Sequence, residues 1–236
     1  MFFRFIFLSL LAINAFSAGF PSYYYDIESP KKQKKEFVKI LLPLIEKSNQ
    51  QVKKERVFIK IFLSNAWTNG FRNLDGVSLQ NLLMLFRKYK IKGLFNQEEY
   101  LAKIDVVPVS LALAQGAIES GWGKSRFVIE ANNIFGHWTY TGNGLIPEDR
   151  DEGKTHTIRI FNSLQSSVNA YVLNLNRNIA YIKFRVERKK ARDKGIVYNG
   201  LIASKTMINY SALKEQYIKI LNIVIKKNNL LYYDRL

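Results

Sequence analysis

One carboxyl group at the end of an apolar helix is the clearest candidate for chemistry in this chain. The segment Ala114-Gln115-Gly116-Ala117-Ile118-Glu119-Ser120-Gly121-Trp122-Gly123-Lys124-Ser125 places Glu119 just before a turn made of two glycines and a tryptophan. Pro108 suits the first turn of a helix that runs to Glu119, and between them only Ser110, Gln115 and Gly116 interrupt a small or apolar series. In the last turn, the helix macrodipole and apolar surroundings both disfavour a negative charge. Glu119 is therefore expected to hold its proton to higher pH than a solvated glutamate. Such a carboxyl is suited to general-acid work. The rival reading is a carboxylate that caps the helix or pairs with Lys124 or Arg126.

Other chemistries find little support. The chain has two histidines, His137 and His156, no cysteine and no His-Glu-x-x-His pattern, so neither a metal centre nor a cofactor is expected. It also lacks a Gly-x-Ser-x-Gly elbow and a phosphate loop. Four acids, Glu148, Asp149, Asp151 and Glu152, crowd one loop, and their spacing selects none of them.

The elements that must position Glu119 are mostly helical. Ser29-Pro30 starts a helix through the Lys31, Lys32, Lys34, Lys35 cluster, with Pro43 expected to kink it. Further helices are expected over 52–67 and 78–89, from Asn96, from Pro108 to Glu119, and over 124–131. Residues 137–140 and 155–161 are rich in aromatic and β-branched types around a Gly- and Pro-containing loop, which predicts a small hairpin. Ser163 caps a helix to about Asn176, another spans 179–193 with Gly195 as its stop, and Ser211 begins the last, whose apolar stripe includes Leu213, Tyr217, Leu221 and Ile225. The class is α+β, mostly α.

At 236 residues, one domain with a small extension is expected. Residues 1–19 read as a signal peptide, with Arg4, the apolar run from Phe5 to Ala12, and small residues Ala15, Ser17, Ala18 and Gly19. The run is too short to favour a membrane span, although an uncleaved anchor is the alternative. Export implies a periplasmic location, and the lack of cysteine leaves the fold to packing and hydrogen bonds. The 36 basic and 19 acidic residues give a net charge of +17, a surface drawn to polyanions. Peptidoglycan stems, lipopolysaccharide and anionic lipid heads fit an exported chain; nucleic acid does not, for want of a recognisable motif.

The signature Ala-Gln-Gly-Ala-Ile-Glu-Ser-Gly-Trp-Gly-Lys-Ser, followed by Asn132-Asn133-Ile134-Phe135-Gly136, resembles that of the bacterial glucosaminidase family, which cuts peptidoglycan glycan strands. Ile104 to Leu113, Ser125-Arg126-Phe127, Phe135-Gly136-His137-Trp138 and Ser167-Val168-Asn169-Ala170-Tyr171 extend the likeness to its Bax-type members, over roughly residues 30–230. The resemblance implies a lysozyme-like domain over 96–236 with a β-hairpin lobe, preceded by a helical extension over 20–95. It implies cleavage of the β-1,4 bond after N-acetylglucosamine with Glu119 as acid, by a monomer whose partner is the glycan strand. A second carboxylate on the hairpin lobe, Glu148 or Glu152, would serve as base for water. The substrate's own N-acetyl group is the alternative nucleophile. Tyr171 and Tyr181 resemble family tyrosines near the cleft, and Trp138, Asn133 and Phe135 complete the expected site. Trp122 is the better packing wedge and Trp138 the better sugar contact. Two further readings stay open: a wall-binding module without catalysis, and an amidase acting on the stem peptide.

Overall fold

Ser29 starts the longest element, its hydroxyl accepting from the Lys32 backbone N–H, with Pro30 in the first turn. This is a computed structural model, and it describes residues 19–141, 144–147, 153 and 155–235. The proposed signal segment, apart from Gly19, lies outside the described residues, as do Glu148 and Glu152.

Helix α1 runs unbroken from Pro30 to Thr68, where the sequence suggests two helices. Its buried positions Phe37, Leu41, Ile45, Ser48, Asn49, Val52, Glu55, Ile59 and Phe62 continue one stripe at helical spacing. The stripe looks interrupted because Ser48, Asn49 and Glu55 are polar, yet each is paired. Asn49 gives its amide to the Val107 carbonyl at 2.8 Å and accepts from Val107 N–H at 3.0 Å. Glu55 accepts from Tyr89 Oη at 2.6 Å and from Lys88 Nζ at 2.7 Å. Pro43 lies on the exposed side, where the carbonyl it leaves without a donor can meet water.

Helices α2 (Gly76–Lys88) and α3 (Gln97–Lys103) begin at Asp75 and Asn96, whose side chains accept from the N–H groups of Ser78 and Glu99. Helix α4 (Val109–Glu119) follows, buried along its whole face from Ser110 to Ala117. Its packing neighbours include α1, α8 (Gly200–Ser204), α9 (Glu215–Lys227) and a 3-10 turn at Leu230–Arg235. Gly116 permits the close crossing with α1, since a Cβ there would sit 2.9 Å from Leu41 Cδ2. Pro108 gives α4 no side-chain cap. Asp234 supplies one from the far end of the chain: its carboxylate accepts from Ser110 N–H at 2.9 Å and from Gly200 N–H at 3.0 Å. Replacing Asp234 with Ala is expected to cost about 1 kcal/mol, the usual worth of a helix cap, and to lower the melting temperature by about 2–4 °C in a calorimetric scan.

A short α5 (Arg126–Ala131) leads to the sheet region. There β1 (Trp138–Thr139) pairs antiparallel with β3 (Thr157–Arg159) in the register Trp138 with Ile158 and Thr139 with Thr157. The expected hairpin is thus a three-stranded sheet, since β2 (Gly144–Leu145) pairs with the other edge of β3. Two residues carry no readable alternation, which is why β2 is silent in the sequence. Helix α6 (Leu164–Arg177) is capped by Ser163 as expected, and a 3-10 turn at Ile179–Tyr181 precedes α7 (Ile182–Asp193). The last helix starts at Glu215 rather than near Ser211, because Lys214 takes a positive φ of 49° that breaks the run. The chain is mostly helical with one small antiparallel sheet, as its class required.

Away from the carboxyl-bearing end of α4, a second charged centre ties the loop before α4 to α1 and α7. Asp105 is buried and bonded to Arg192 through Nε at 2.7 Å and Nη2 at 2.5 Å, with Arg56 at 3.6 Å and Arg188 at 4.0 Å. Burial alone would push the Asp105 carboxyl up, but the arginines more than offset it and hold it below the usual carboxylate range.

Candidate active site

Glu119 is the final residue of α4 and is half-buried. After it the chain turns through three left-handed residues, Gly121 (φ 55°), Trp122 (φ 57°) and Gly123 (φ 79°). A tryptophan in that region is strained, and it is fixed from two sides. Trp122 N–H donates to the Ala117 carbonyl at 2.8 Å, and the Tyr24 hydroxyl donates to the Trp122 carbonyl. The indole packs edge-on against Phe37 at 5.3 Å under the Lys34 ammonium. Trp122 is accordingly a wedge between α1 and the turn.

The carboxyl group of Glu119 meets no basic side chain among the described residues. Its one hydrogen bond comes from Tyr217 on α9, whose hydroxyl donates to Oε1 at 2.7 Å. Behind Tyr217 lies Gln115, four residues before Glu119 and so on the same face of α4. Gln115 Nε2 donates to Tyr217 Oη at 3.2 Å, and Tyr171 Oη donates to Gln115 Oε1 at 2.7 Å. Every donor in this buried chain points toward Glu119. Oε2 takes no hydrogen bond from the described residues and lies beside Gly136, where a Cβ would stand 3.8 Å from it. Gly136 has φ 65°, so the loop passes close to the carboxyl with no side chain in the way.

Two opposed influences set the acidity of Glu119. Burial raises its pKa above the ordinary value, and the Tyr217 hydrogen bond lowers it by less, so the net direction is upward. With Oε1 accepting from Tyr217, Oε2, the oxygen facing Gly136, is the one left to carry a proton whenever the carboxyl is neutral. Tyr217→Phe removes the opposing hydrogen bond. The high-pH limb of the kcat/KM profile for glycan cleavage is expected to move to still higher pH, because the neutral carboxyl then persists further. A pH-rate titration of the variant against wild type checks this.

The other expected site residues fall into three groups. Tyr171 is fully buried, stacked on Phe135 at 4.0 Å, and touches Glu119 only through Gln115 and Tyr217. Phe135 is buried, and its carbonyl faces the Tyr210 hydroxyl at 3.4 Å. Tyr181 is buried beside Tyr210, whose ring stacks on Tyr217 at 5.6 Å. These aromatics form the floor under the carboxyl and desolvate it. Asn133 is also buried, with its whole amide used inside the protein. It donates to the His137 and Arg159 carbonyls, both at 2.8 Å, and accepts from His137 N–H at 2.9 Å. That bonding fastens the Gly136 loop to β1 and β3, the loop-holding geometry expected of the Asn132-Asn133 pair, and it uses both N–H groups of Asn133. Trp138 is the exception, 58% exposed and stacked on His156 at 4.2 Å.

Tyr217, Tyr210, Gln115 and Gly136 are neighbours of Glu119 to which the sequence alone assigns no place at the site. Tyr217 read as one more member of an apolar stripe. The available signal was a phenol among aliphatic residues, because a buried tyrosine hydroxyl needs a partner.

A carboxyl whose burial favours its protonated form, backed by a donor chain and bordered by a glycine, is suited to the acid role in glycoside cleavage. The family model described as mannosyl-glycoprotein endo-beta-N-acetylglucosaminidase matches residues 96–230, and the chain belongs to this glucosaminidase family of glycoside hydrolases. Among individual proteins it is similar to Protein bax of Escherichia coli (strain K12), at 29% identity over 165 residues, covering 68% of this chain and 57% of that protein. The chain thus matches little more than half the length of that relative. It also shares 19% identity with the crystal structure of the catalytic domain of the autolysin Auto from Listeria monocytogenes, over 75% of this chain and 87% of that one, with a TM-score of 0.42.

Proposed function

We propose that the protein is an exported peptidoglycan hydrolase that cuts the β-1,4 bond after N-acetylglucosamine, with Glu119 as general acid. The observation that carries this reading is the state of Glu119: desolvated, without a cationic partner among the described residues, and with Oε2 beside Gly136 taking no hydrogen bond from them. Oε2–H gives its proton to the departing glycosidic oxygen. Tyr217 then stabilises the carboxylate that remains, since its hydrogen bond strengthens once Oε1 carries charge. Trp138 offers an exposed flat face to a sugar ring, while Phe135, Tyr171, Tyr181 and Asn133 act by shaping and drying the pocket. A base for water comes from Glu148 or Glu152 on the loop after β2, or the substrate's acetamido group takes its place. Residues 1–19 act as a removable export leader, and 20–95 form the extension that precedes the glucosaminidase domain. Among the described residues no helix is long and apolar enough to cross a membrane.

Digestion of isolated sacculi tests the assignment. Release of glycan fragments with reducing N-acetylglucosamine ends is the expected product. Fragments carrying free stem peptides instead would mean amide cleavage. Co-sedimentation with sacculi without any release would mean a binding module.

A further inference from the structure

A spacious cleft formed by the described residues does not include Glu119 in its wall. It is a cavity of about 780 Å³ between the middle of α1, the outer face of α6 and β1. Its wall carries Lys47, Lys54, Lys88, Arg159 and Arg177, and no carboxylate lines it among the described residues. Lys88 is committed to Glu55 at 2.7 Å. Lys47, Lys54, Arg159 and Arg177 have no carboxylate partner among the described residues, although Arg177 donates to the Lys88 carbonyl and Arg159 lies over the Phe161 ring.

Two more features narrow the ligand. Gln165 and His137 belong to the same wall, and Gln165 Oε1 and His137 Nε2 are buried without hydrogen-bond partners. Unmet hydrogen-bonding capacity of this kind suits a ligand that brings N–H donors as well as negative charge. The cavity adjoins the proposed site along the chain: His137 and Trp138 in its wall follow directly on Gly136, which borders Glu119 Oε2. One side of it, including Lys47, Lys54 and Lys88, comes from the segment before residue 96, outside the part matched by the family model.

We infer that this groove is a subsite for the acidic peptide stem of the substrate, with its cations taking the stem carboxylates while the glycan strand passes Glu119. The inference rests on the proposed reaction and adds a preference: strands that still bear peptide bind better than stripped ones. A stem supplies both the carboxylates that match the unpaired cations and the amide N–H groups that match Gln165 and His137. A phospholipid head group such as phosphatidylglycerol supplies only the first.

The test compares soluble glycan strands that carry their stems with the same strands freed of peptide by an amidase. The double substitution Lys47→Gln/Lys54→Gln changes two exposed side chains of α1 that touch nothing in the catalytic chain. It is expected to raise KM for peptide-bearing strands about tenfold, with kcat and the kinetics on stripped strands unchanged, and Lys47→Arg/Lys54→Arg is expected to restore KM. An equal rise on both substrates, or no change on either, overturns the inference. Titration of a free acidic tetrapeptide into Glu119→Gln by calorimetry separates this question from catalysis. If wild type cleaves neither strand, the proposed reaction fails, while peptide binding that the lysine double variant loses still supports the groove. Retained peptide binding together with lost binding to phosphatidylglycerol vesicles in that variant would assign the groove to a lipid surface and overturn the proposal.

Discussion

Glu119→Gln is expected to abolish glycan cleavage, lowering kcat about 10²–10⁴-fold, while the protein folds at least as well as wild type. The loss follows from geometry: glutamine fills the same space and can still accept from Tyr217, but it has no proton to give at the Oε2 position. The gain in stability follows from linkage. Burial raises the Glu119 pKa in the folded state, so the folded protein favours the neutral form. The benefit of that neutral group is complete below the unfolded-state pKa and is lost as pH rises through the folded-state value. At neutral pH wild type therefore bears the cost of a disfavoured negative charge, and the permanently neutral amide does not. Thermal unfolding of both proteins at pH 5 and pH 8 is expected to show the advantage of the variant growing at the higher pH. A variant that is inactive because it is unfolded would carry no information on Glu119, so the two measurements belong together.

Asp105→Ala is expected to be the most destabilising single substitution outside the hydrophobic core, costing about 3–5 kcal/mol, the usual result of breaking a buried ion pair from one side. For a domain of this size that corresponds to a fall of about 6–20 °C in melting temperature. Among the described residues, Asp105 is the carboxylate that pairs with all three of Arg56, Arg188 and Arg192. Removing it leaves three like charges converging where Arg188 is buried and already pulled down to about 10 by burial. The sign of the pH dependence is opposite to that at Glu119. The Asp105 pKa is depressed in the folded state, so its contribution is present above the unfolded-state value and lost as pH falls through the folded-state value. Wild type should lose stability on acidification, and the variant should show less of that slope. Glycan cleavage by the folded fraction of Asp105→Ala should be retained, because the cluster lies on the α1–α7 side and not in the Tyr171 to Glu119 chain.

The two centres differ in how far the sequence discloses them. Glu119 is legible because three local signals converge on it: Pro108 starts the helix, the small apolar series buries it, and the glycine turn ends it one residue after the carboxyl. Nothing in that segment depends on a distant residue except the identity of the partner. Tyr217 lies 98 residues further on, and no pattern within α9 marks which of its stripe members reaches back to α4. The same limit explains Asp234, which caps α4 from 124 residues away, and the Asp105 cluster, whose arginines are spread over α1 and α7. Helix α1 shows the converse. Pro43 and the polar residues Ser48, Asn49 and Glu55 suggest a break, but tertiary partners satisfy each polar group, and the helix continues through them. The third strand of the sheet is two residues long, too short for period-2 alternation to register.

Burial of Asn133, Phe135, Tyr171 and Tyr181 has a related cause. Motif residues cluster at a site both because some touch the substrate and because others hold the loop and exclude water, and residue type alone does not separate the two. Asn133 has the geometry of the second role, with three hydrogen bonds inside the protein that use both of its N–H groups. Trp138, on β1, is separated from the others by its exposure.

The most direct test of the central claim is a carbon-13 NMR titration of the glutamate side-chain carboxyls, with Glu119 assigned by its disappearance in Glu119→Gln, run beside a pH-rate profile for glycan cleavage. Glu119 is expected to titrate above the ordinary glutamate value, with the high-pH limb of kcat/KM falling at the same pH. A Glu119 signal that titrates at or below the ordinary value, with activity continuing unchanged above it, would contradict its role as the acid.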